Sequence, residues 1–476
     1  MEVSSSVKYV STRGTAPQLG FCDVLLAGLA RDGGLYVPET WPSFSSDALA
    51  RLAGRPYDEV AFTVIRPFVG GEIEDALLAR LCREAYATFR HPAVAPLVQT
   101  GPNAFILELF HGPTLAFKDV AMQLLARLMD HVLTVRGRRA TIVGATSGDT
   151  GGAAIEAFRG RQATDIFILF PKGRVSPVQQ RQMTTAADAN VHAIAVEGSF
   201  DDCQAIVKSL FNDLKFRDRV ALSGVNSINW ARIVAQVVYY ITAGLALGAP
   251  HRAVSFTVPT GNFGDVFAGY VAKRIGLPIE RLVIATNSND ILARTLASGR
   301  YEMTGVVPTT SPSMDIQISS NFERLLFEAA GRDAGTVRQL MGGLTQSGAF
   351  TVPPAALAAI RGEFEAGRAD EAATAATMRS LLAETGYLAD PHTAVALTVA
   401  GRVDPSPTPM VTLSTAHPAK FPAAVEAATG VKPELPAWLG DFMDREEHFS
   451  VLPNDTEAVA RFVEARARAV EERAGT

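Results

Sequence analysis

The chain has 476 residues, 44 Lys and Arg against 49 Asp and Glu, and a net charge of −5. Such a length accommodates two or three domains, and an apolar content of 47% provides for a large core. The charge is small and of the wrong sign for a nucleic-acid partner, although a local cluster of Arg and Lys can still bind an anionic substrate.

Cys22, Cys82 and Cys203 are the only cysteines. They form no C-x-x-C pair and no Cys/His metal spacing, so neither a disulfide framework nor a metal is expected, and a cytoplasmic location is the natural reading. The opening MEVSSSVKYVSTRG has no apolar h-region, which argues against a signal peptide. The most apolar run, IVAQVVYYITAGLALGA at 233–249, is short for a membrane span and contains Gln236. It reads as a buried helix, with no membrane partner.

In chain order, residues 1–95 form a mixed N-terminal domain, with turns at Gly33-Gly34 and Pro38 and a helical pattern through ALLARLCREAYATF. The proline-rich RHPAVAPLVQTGPN, 90–103, reads as a domain junction. Strand patterns follow at 104–110, 140–146, 165–170, 191–196, 253–258, 281–287 and 410–415, and helical patterns follow nearly all of them. This alternation predicts an α/β fold with open, mostly parallel sheets covered by helices on both faces. Residues 320–390 and the tail DTEAVARFVEARARAVEER read as mostly helical. In open α/β sheets ligands lie beyond the carboxyl ends of the strands, so the chemistry is expected where strands hand over to helices.

The first handover, AFILELF-HGPTLAFKD, places Lys118 at the start of a helix. The positive end of the helix dipole disfavours an ammonium and so favours the neutral amine that a Schiff base needs. A solvated first-turn lysine is the plain alternative. The second, ATIVGATSGDTGG, gathers Ser147, Gly148, Asp149, Thr150 and Gly151 into a loop suited to a carboxylate or phosphate; an N-cap on Ser147 or Asp149 explains it equally well. The third, VPTGNFGD, puts Gly261, Asn262, Phe263, Gly264 and Asp265 where glycines admit a phosphate to the backbone. It matches neither the P-loop nor G-x-G-x-x-G, so a nucleotide is not the preferred ligand. At the fourth, Ser414 and Thr415 precede His417 and Pro418, and a hydroxyl there can face a cofactor ring. At the fifth, Asn226, Ser227 and Asn229 lead into a helix with Arg232 in its first turn, a clamp for a second phosphate. Lys172 and Arg174 add positive charge nearby.

Together these segments resemble threonine synthase, a fold-type II pyridoxal-phosphate enzyme, in its bacterial and fungal branch. The resemblance rests on HGPTLAFKD (111–119), SGDTG (147–151), PTGNFGD (259–265) and STAHPAKF (414–421), and extends to VSTRG (10–14), RDGGLYVPE (31–39) and DPHTAVAL (390–397). It implies a tryptophan-synthase-β-like fold in which residues 1–95 are an extra N-terminal domain. Residues 96–476 are then the cofactor-binding catalytic region, two α/β subdomains with a helical insertion near 320–390. It implies that Lys118 carries pyridoxal 5'-phosphate, that Gly261 to Asp265 hold the cofactor phosphate, and that Thr415 partners the pyridine nitrogen. Ser147 and Thr150 match positions that hold the substrate carboxylate, and Asn226, Ser227 and Arg232 resemble the substrate-phosphate site. Asp149 departs from the wider fold type, where many enzymes carry Asn beside the cofactor's phenolic oxygen.

The implied reaction is that of a carbon–oxygen lyase acting on phosphates: O-phospho-L-homoserine and water give L-threonine and phosphate, the last step of threonine biosynthesis. The alternatives are a phospho-lyase or serine/threonine dehydratase giving 2-oxobutyrate and, in another class, a catalytically silent metabolite-binding homologue. The arginine clamp disfavours the dehydratase, and Lys118 disfavours the silent homologue. The expected partner is the small-molecule substrate alone, on a monomer or homodimer.

Overall fold

The computed structural model describes residues 7–470. The first six residues of the opening segment and the end of the tail pattern, 471–473, lie outside them. All seven strands expected from 104 onward form: Ala104–Glu108, Ala140–Ala145, Thr164–Pro171, Val191–Glu197, Val254–Pro259, Ile279–Thr286 and Met410–Ser414. They divide between two sheets. The six-stranded sheet has the order 364–368, 279–286, 254–259, 410–414, 104–108, 97–99, and only the last pair is antiparallel. The five-stranded sheet has the order 450–453, 191–197, 164–171, 140–145, 222–223 and is parallel throughout. Thr164–Pro171 and Val254–Pro259 are buried at every residue, as strands covered on both faces must be.

Some elements differ from the sequence pattern. The junction segment supplies Leu97–Gln99, an edge strand pairing back onto 104–108. The stretch 320–390 holds four helices, 322–329, 334–347, 354–363 and 371–385, but also the strand Phe364–Arg368 on the other edge of the same sheet. FEAGR has one apolar aromatic and no alternation, so its strand character comes from its neighbour 279–286 rather than from its own propensity. The tail forms the helix Thr456–Glu464, preceded by the edge strand Ser450–Pro453.

The apolar run at 233–249 becomes the helix Trp230–Ala246, in which nearly every side chain is buried. Among the described residues no helix is long and apolar enough to cross a membrane. The central helix packs against Tyr57–Val69 of the N-terminal segment and against Lys118–Val135. A single core cluster runs from Tyr9 to Leu413, so the N-terminal residues are buried together with the sheet region.

Strand 410–414 lies between 254–259 and 104–108. The first, third and fourth handovers therefore leave three adjacent strands at their carboxyl ends, the place where such sheets form a crevice. The second and fifth leave 140–145 and 222–223, which are paired in the other sheet.

Candidate active site

Lys118 and Thr415 are tied together through the backbone. The N–H of Phe117 donates to Thr415 O at 2.8 Å and the N–H of His417 donates to Leu115 O at 3.0 Å. Asp119 braces this loop, its carboxylate accepting from Thr114 N at 2.8 Å and Thr114 Oγ1 at 2.6 Å. Lys118 is 9% exposed and opens the helix Lys118–Val135. Burial holds its amine below the ordinary lysine range; Asp149 opposes that, and Lys420 and Arg232 add to it. The two hydroxyls at the end of strand 410–414 have different partners. Ser414 Oγ lies 2.9 Å from Thr393 Oγ1, whereas Thr415 Oγ1 has no hydrogen-bond partner among the described residues.

In the SGDTG loop the helix Asp149–Phe158 is capped by Thr146. Its Oγ1 accepts from Gly148 N and Gly151 N, both at 2.9 Å. Neither Ser147 nor Asp149 serves as the cap. The hydroxyls of Ser147 and Thr150, and the N–H groups of Ser147, Asp149 and Thr150, find no protein partner among the described residues. This set of donors suits a carboxylate. Gly148 has φ +147, and a Cβ there would stand 2.4 Å from the Gln179 side chain, which holds Asp149 Oδ1 at 2.9 Å. Asp149 also accepts from Lys420 Nζ at 2.8 Å and faces Lys118 Nζ at 3.8 Å. Although burial opposes it, the two lysines and Gln179 hold its carboxyl well below the ordinary range.

The third loop is an anion cradle. Among the described residues, the N–H groups of Gly261 to Asp265 find no protein acceptor. Its carbonyls, by contrast, are pinned from outside. Ser319 Oγ donates to Gly261 O at 2.6 Å, and Asn321 donates to Asn262 O through its backbone N–H and its side chain, both at 3.0 Å. Drawing the carbonyls outward leaves the N–H groups facing inward. The left-handed residue is Phe263, at φ +64, with its ring against Phe322 and Phe364. The glycines serve close approach instead: a Cβ on Gly261 would stand 2.8 Å from Ser313 O, and one on Gly264 3.3 Å from Asn321 Nδ2. Asp265 follows, with Tyr239 and Tyr240 hydroxyls at 2.5 and 2.8 Å from Oδ1 and with Oδ2 buried and unpartnered.

Arg232 reaches the same region from the central helix. It is 3% exposed, and Nη1 donates to Val225 O at 3.1 Å while Nε has no partner. Burial lowers it to about 10. The side-chain polar atoms of Asn226 and Ser227 have no protein partner among the described residues. The Ser227 carbonyl lies 3.7 Å from the position of a Cβ on Gly264, so this clamp adjoins the third loop. Lys172 and Arg174 stay outside: both are exposed, and Lys172 pairs with Glu197 at 3.1 Å.

A run of backbone N–H groups and a hydroxyl without protein partners among the described residues, together with a buried lysine, fit pyridoxal phosphate. Residues 8–86 match the family described as threonine synthase N terminus, 89–415 match pyridoxal-phosphate dependent enzyme, and 393–463 match threonine synthase, C-terminal. The chain is 54% identical to threonine synthase from Pseudomonas aeruginosa over 459 residues, 96% of this chain and 98% of the relative. It belongs to the threonine synthase family. A crystal structure of PLP-bound threonine synthase from Brucella melitensis superposes with a TM-score of 0.96 at 68% identity, covering 97% of this chain and all of that one. Yeast threonine synthase gives 0.93 at 40% identity, covering 98% and 99%. As a member of the threonine synthase family, the chain is a fold-type II, pyridoxal-phosphate dependent enzyme.

Several residues at this threonine synthase site escaped the sequence reading of roles. Lys420 sits inside the quoted STAHPAKF motif but had no role. Gln179, Asn321 and the adjacent Tyr239 and Tyr240 gave no local signal, because each acts through a residue distant in sequence, whereas Thr146 acts on the nearby Gly148 and Gly151 and shows its role only in the geometry.

Proposed function

We propose that the enzyme converts O-phospho-L-homoserine and water to L-threonine and phosphate, with one chain supplying the whole site. When bound, pyridoxal phosphate supplies an electron sink for negative charge at the substrate α-carbon. Lys118 Nζ would hold the cofactor and, as a free amine, would move one proton at a time, taking that of Cα and, once it has passed that proton on, one from Cβ. Burial, by keeping that amine below the ordinary range, suits it to a base. The N–H groups of Gly261, Asn262, Phe263, Gly264 and Asp265 hold the cofactor phosphate, and Thr415 Oγ1 faces the pyridine nitrogen. Asp149, kept ionised, stands 3.8 Å from Lys118 Nζ and would present its charge beside the bound cofactor. Ser147 and Thr150 receive the substrate carboxylate.

The observation that carries the reading is Arg232, a buried guanidinium with no carboxylate partner among the described residues and an orphaned Nε. A buried unpaired cation is costly unless an anion completes it. The phosphate monoester of the substrate, gripped with help from Asn226 and Ser227, supplies that anion, and the clamp stabilises the growing charge as inorganic phosphate leaves Cγ. A serine/threonine dehydratase has no such use for it. The three cysteines, all free and buried, support the cytosol as the compartment, and a monomer or homodimer is the proposed assembly.

The test is product analysis with O-phospho-L-homoserine as sole substrate, beside mapping of the pyridoxyl adduct after borohydride reduction. Threonine and phosphate in equal amounts, with the adduct on Lys118, are expected. Mostly 2-oxobutyrate would overturn the synthase in favour of a phospho-lyase. Brisk turnover of plain L-serine would favour a dehydratase, and colourless protein a silent homologue.

A further inference from the structure

Three charged side chains meet in the interior between the two sheets. Lys118 is 9% exposed, Asp149 5% and Lys420 0%. The two oxygens of Asp149 are divided between the lysines. Oδ1 accepts from Lys420 Nζ at 2.8 Å and from Gln179 Nε2 at 2.9 Å, while Oδ2 stands 3.8 Å from Lys118 Nζ. Lys420 is fixed at both ends. Its Nζ also donates to Thr114 O at 2.7 Å, and its carbonyl accepts from Ser176 Oγ at 3.2 Å. The closer of the two ion pairs thus belongs to the lysine that cannot move.

The charge balance follows. With Lys118 protonated, the three groups carry one uncompensated positive charge. With Lys118 neutral, Lys420 and Asp149 cancel. In a buried, weakly polarisable site the uncompensated state is the expensive one. Remove Lys420, and Asp149 has only Lys118 to pair with, which favours the ammonium there.

We propose that Lys420 is a positioning residue of this active site: by closing its own ion pair with Asp149, it makes the neutral amine the charge-balanced state of Lys118. A carboxylate beside the reacting lysine, taken alone, would hold the proton on it. Lys420 turns the same carboxylate into half of a neutral pair that still presents Oδ2 to the cofactor side. The other charged groups facing Lys118 are Arg232 on the central helix, Asp119 on its own helix and Asp265 on the helix Gly264–Arg274. Asp119 is engaged by Thr114, and Asp265 by Tyr239 and Tyr240, so none of them closes the Asp149 pair.

The proposal rests on Lys118 being the reacting amine, which adduct mapping tests separately. An adduct on another lysine would sink that assignment, whereas an adduct on Lys118 with the wrong pH behaviour would sink only the role of Lys420.

The experiment is cofactor capture by cofactor-free protein. The rate at which added pyridoxal phosphate forms its absorbing adduct is followed against pH, because only the neutral amine attacks. Lys420→Met is expected to move the half-point up by about one pH unit or more. Asp149→Asn, which leaves Lys420 unopposed beside Lys118, is expected to move it down. The double variant, a neutral pair of similar size, should return close to wild type, and Lys420→Arg should stay near it. A merely structural role predicts losses of one sign and no cancellation. An unchanged half-point in Lys420→Met, or shifts of the same direction in the two single variants, overturns the proposal. Should Lys420→Met fail to fold, the downward shift in Asp149→Asn and its reversal in the double variant decide the matter.

Discussion

The Arg232 guanidinium donates one N–H to the carbonyl of Val225 at 3.1 Å, and that carbonyl is the side chain's only hydrogen-bond partner among the described residues. A guanidinium so placed is held in position but not neutralised. Two outcomes follow. Arg232→Ala should raise KM and lower kcat together if, as proposed, the clamp grips phosphate in the bound substrate and as it leaves; a loss confined to KM would mean uniform binding only. Arg232→Lys restores charge without the fork and should recover activity only in part. The cofactor-free protein should behave differently. Arg232→Met removes an unpaired buried charge, so its melting temperature should match or exceed the wild type. Full activity in Arg232→Ala would remove this residue from the phosphate site.

The two glycines of the third loop should separate folding from cofactor binding. On Gly261 a Cβ meets the backbone at Ser313 O, 2.8 Å away, and a backbone atom cannot swing aside. Gly261→Ala should therefore destabilise the fold by about 1–3 kcal/mol, as overpacking does. On Gly264 the first contact is the Asn321 side-chain amide at 3.3 Å, which can yield by a few tenths of an ångström. Gly264→Val should leave the fold intact and raise the cofactor dissociation constant, because its branches intrude on the N–H cradle. Thermal melts and cofactor titration of both variants distinguish these outcomes; unchanged cofactor affinity in Gly264→Val would make the loop structural.

What was legible in the sequence is what is local. Strands such as Thr164–Pro171 are nearly continuous apolar runs, and Trp230–Ala246 is apolar apart from Arg232, Gln236 and Thr242, so both declare themselves. Phe364–Arg368 does not, because it is a strand only by virtue of its neighbour in the sheet. The same division holds at the site. The loops at 147–151 and 261–265 stand out in the sequence by glycines and hydroxyls at strand–helix junctions, and among the described residues the N–H groups of 261–265 find no protein acceptor. That Thr146, rather than Ser147, caps the helix required the geometry, since Thr146, Ser147 and Asp149 are all chemically capable of capping. The pinning of Asn262 O by Asn321, 59 residues away, and of Asp149 by Lys420 arises from the tertiary fold and has no local trace.

Ser414 and Thr415 are neighbours with opposite expected phenotypes. Ser414 Oγ is bonded to Thr393 Oγ1 at 2.9 Å, in a cluster that Asp390 completes through Oδ1. Ser414→Ala should cost about 1 kcal/mol of stability in the cofactor-free protein and change the cofactor spectrum little. The Thr415 hydroxyl has no protein partner to lose. Thr415→Val, which preserves shape, should leave the stability of the cofactor-free protein within about 1 kcal/mol of wild type, yet shift the absorbance of the loaded enzyme and lower kcat. The reverse pattern, with Ser414→Ala altering the spectrum and Thr415→Val silent, would assign the ring-facing hydroxyl to Ser414.

Asp265 gives a pH signature of definite sign. Burial raises its carboxyl from 3.8 to about 6, and hydrogen bonds from Tyr239 and Tyr240 and the charge of Lys118 offset only part of that. Between those two values the native state holds a proton that the unfolded chain has released. Stability therefore falls as pH rises through this window, by the difference in bound protons. The contribution is fully present below about pH 4 and lost above about pH 6, and amounts to a loss on the order of 3 kcal/mol. Asp119, also raised to about 6, acts in the same direction, while Asp149, held low, acts in the opposite one below its ordinary range. The wild-type curve alone is thus a mixture, and Asp265→Asn isolates one component. Its amide oxygen can still accept from both tyrosines, and the unpartnered Oδ2 becomes an uncharged NH₂. Relative to wild type, the cofactor-free variant should gain stability steadily from pH 4 to pH 6 and hold a constant advantage above pH 7. Urea midpoints across that range measure it. A stability difference that does not change with pH would mean that Asp265 is already ionised in the native protein at pH 4, and that its orphaned oxygen is satisfied in solution.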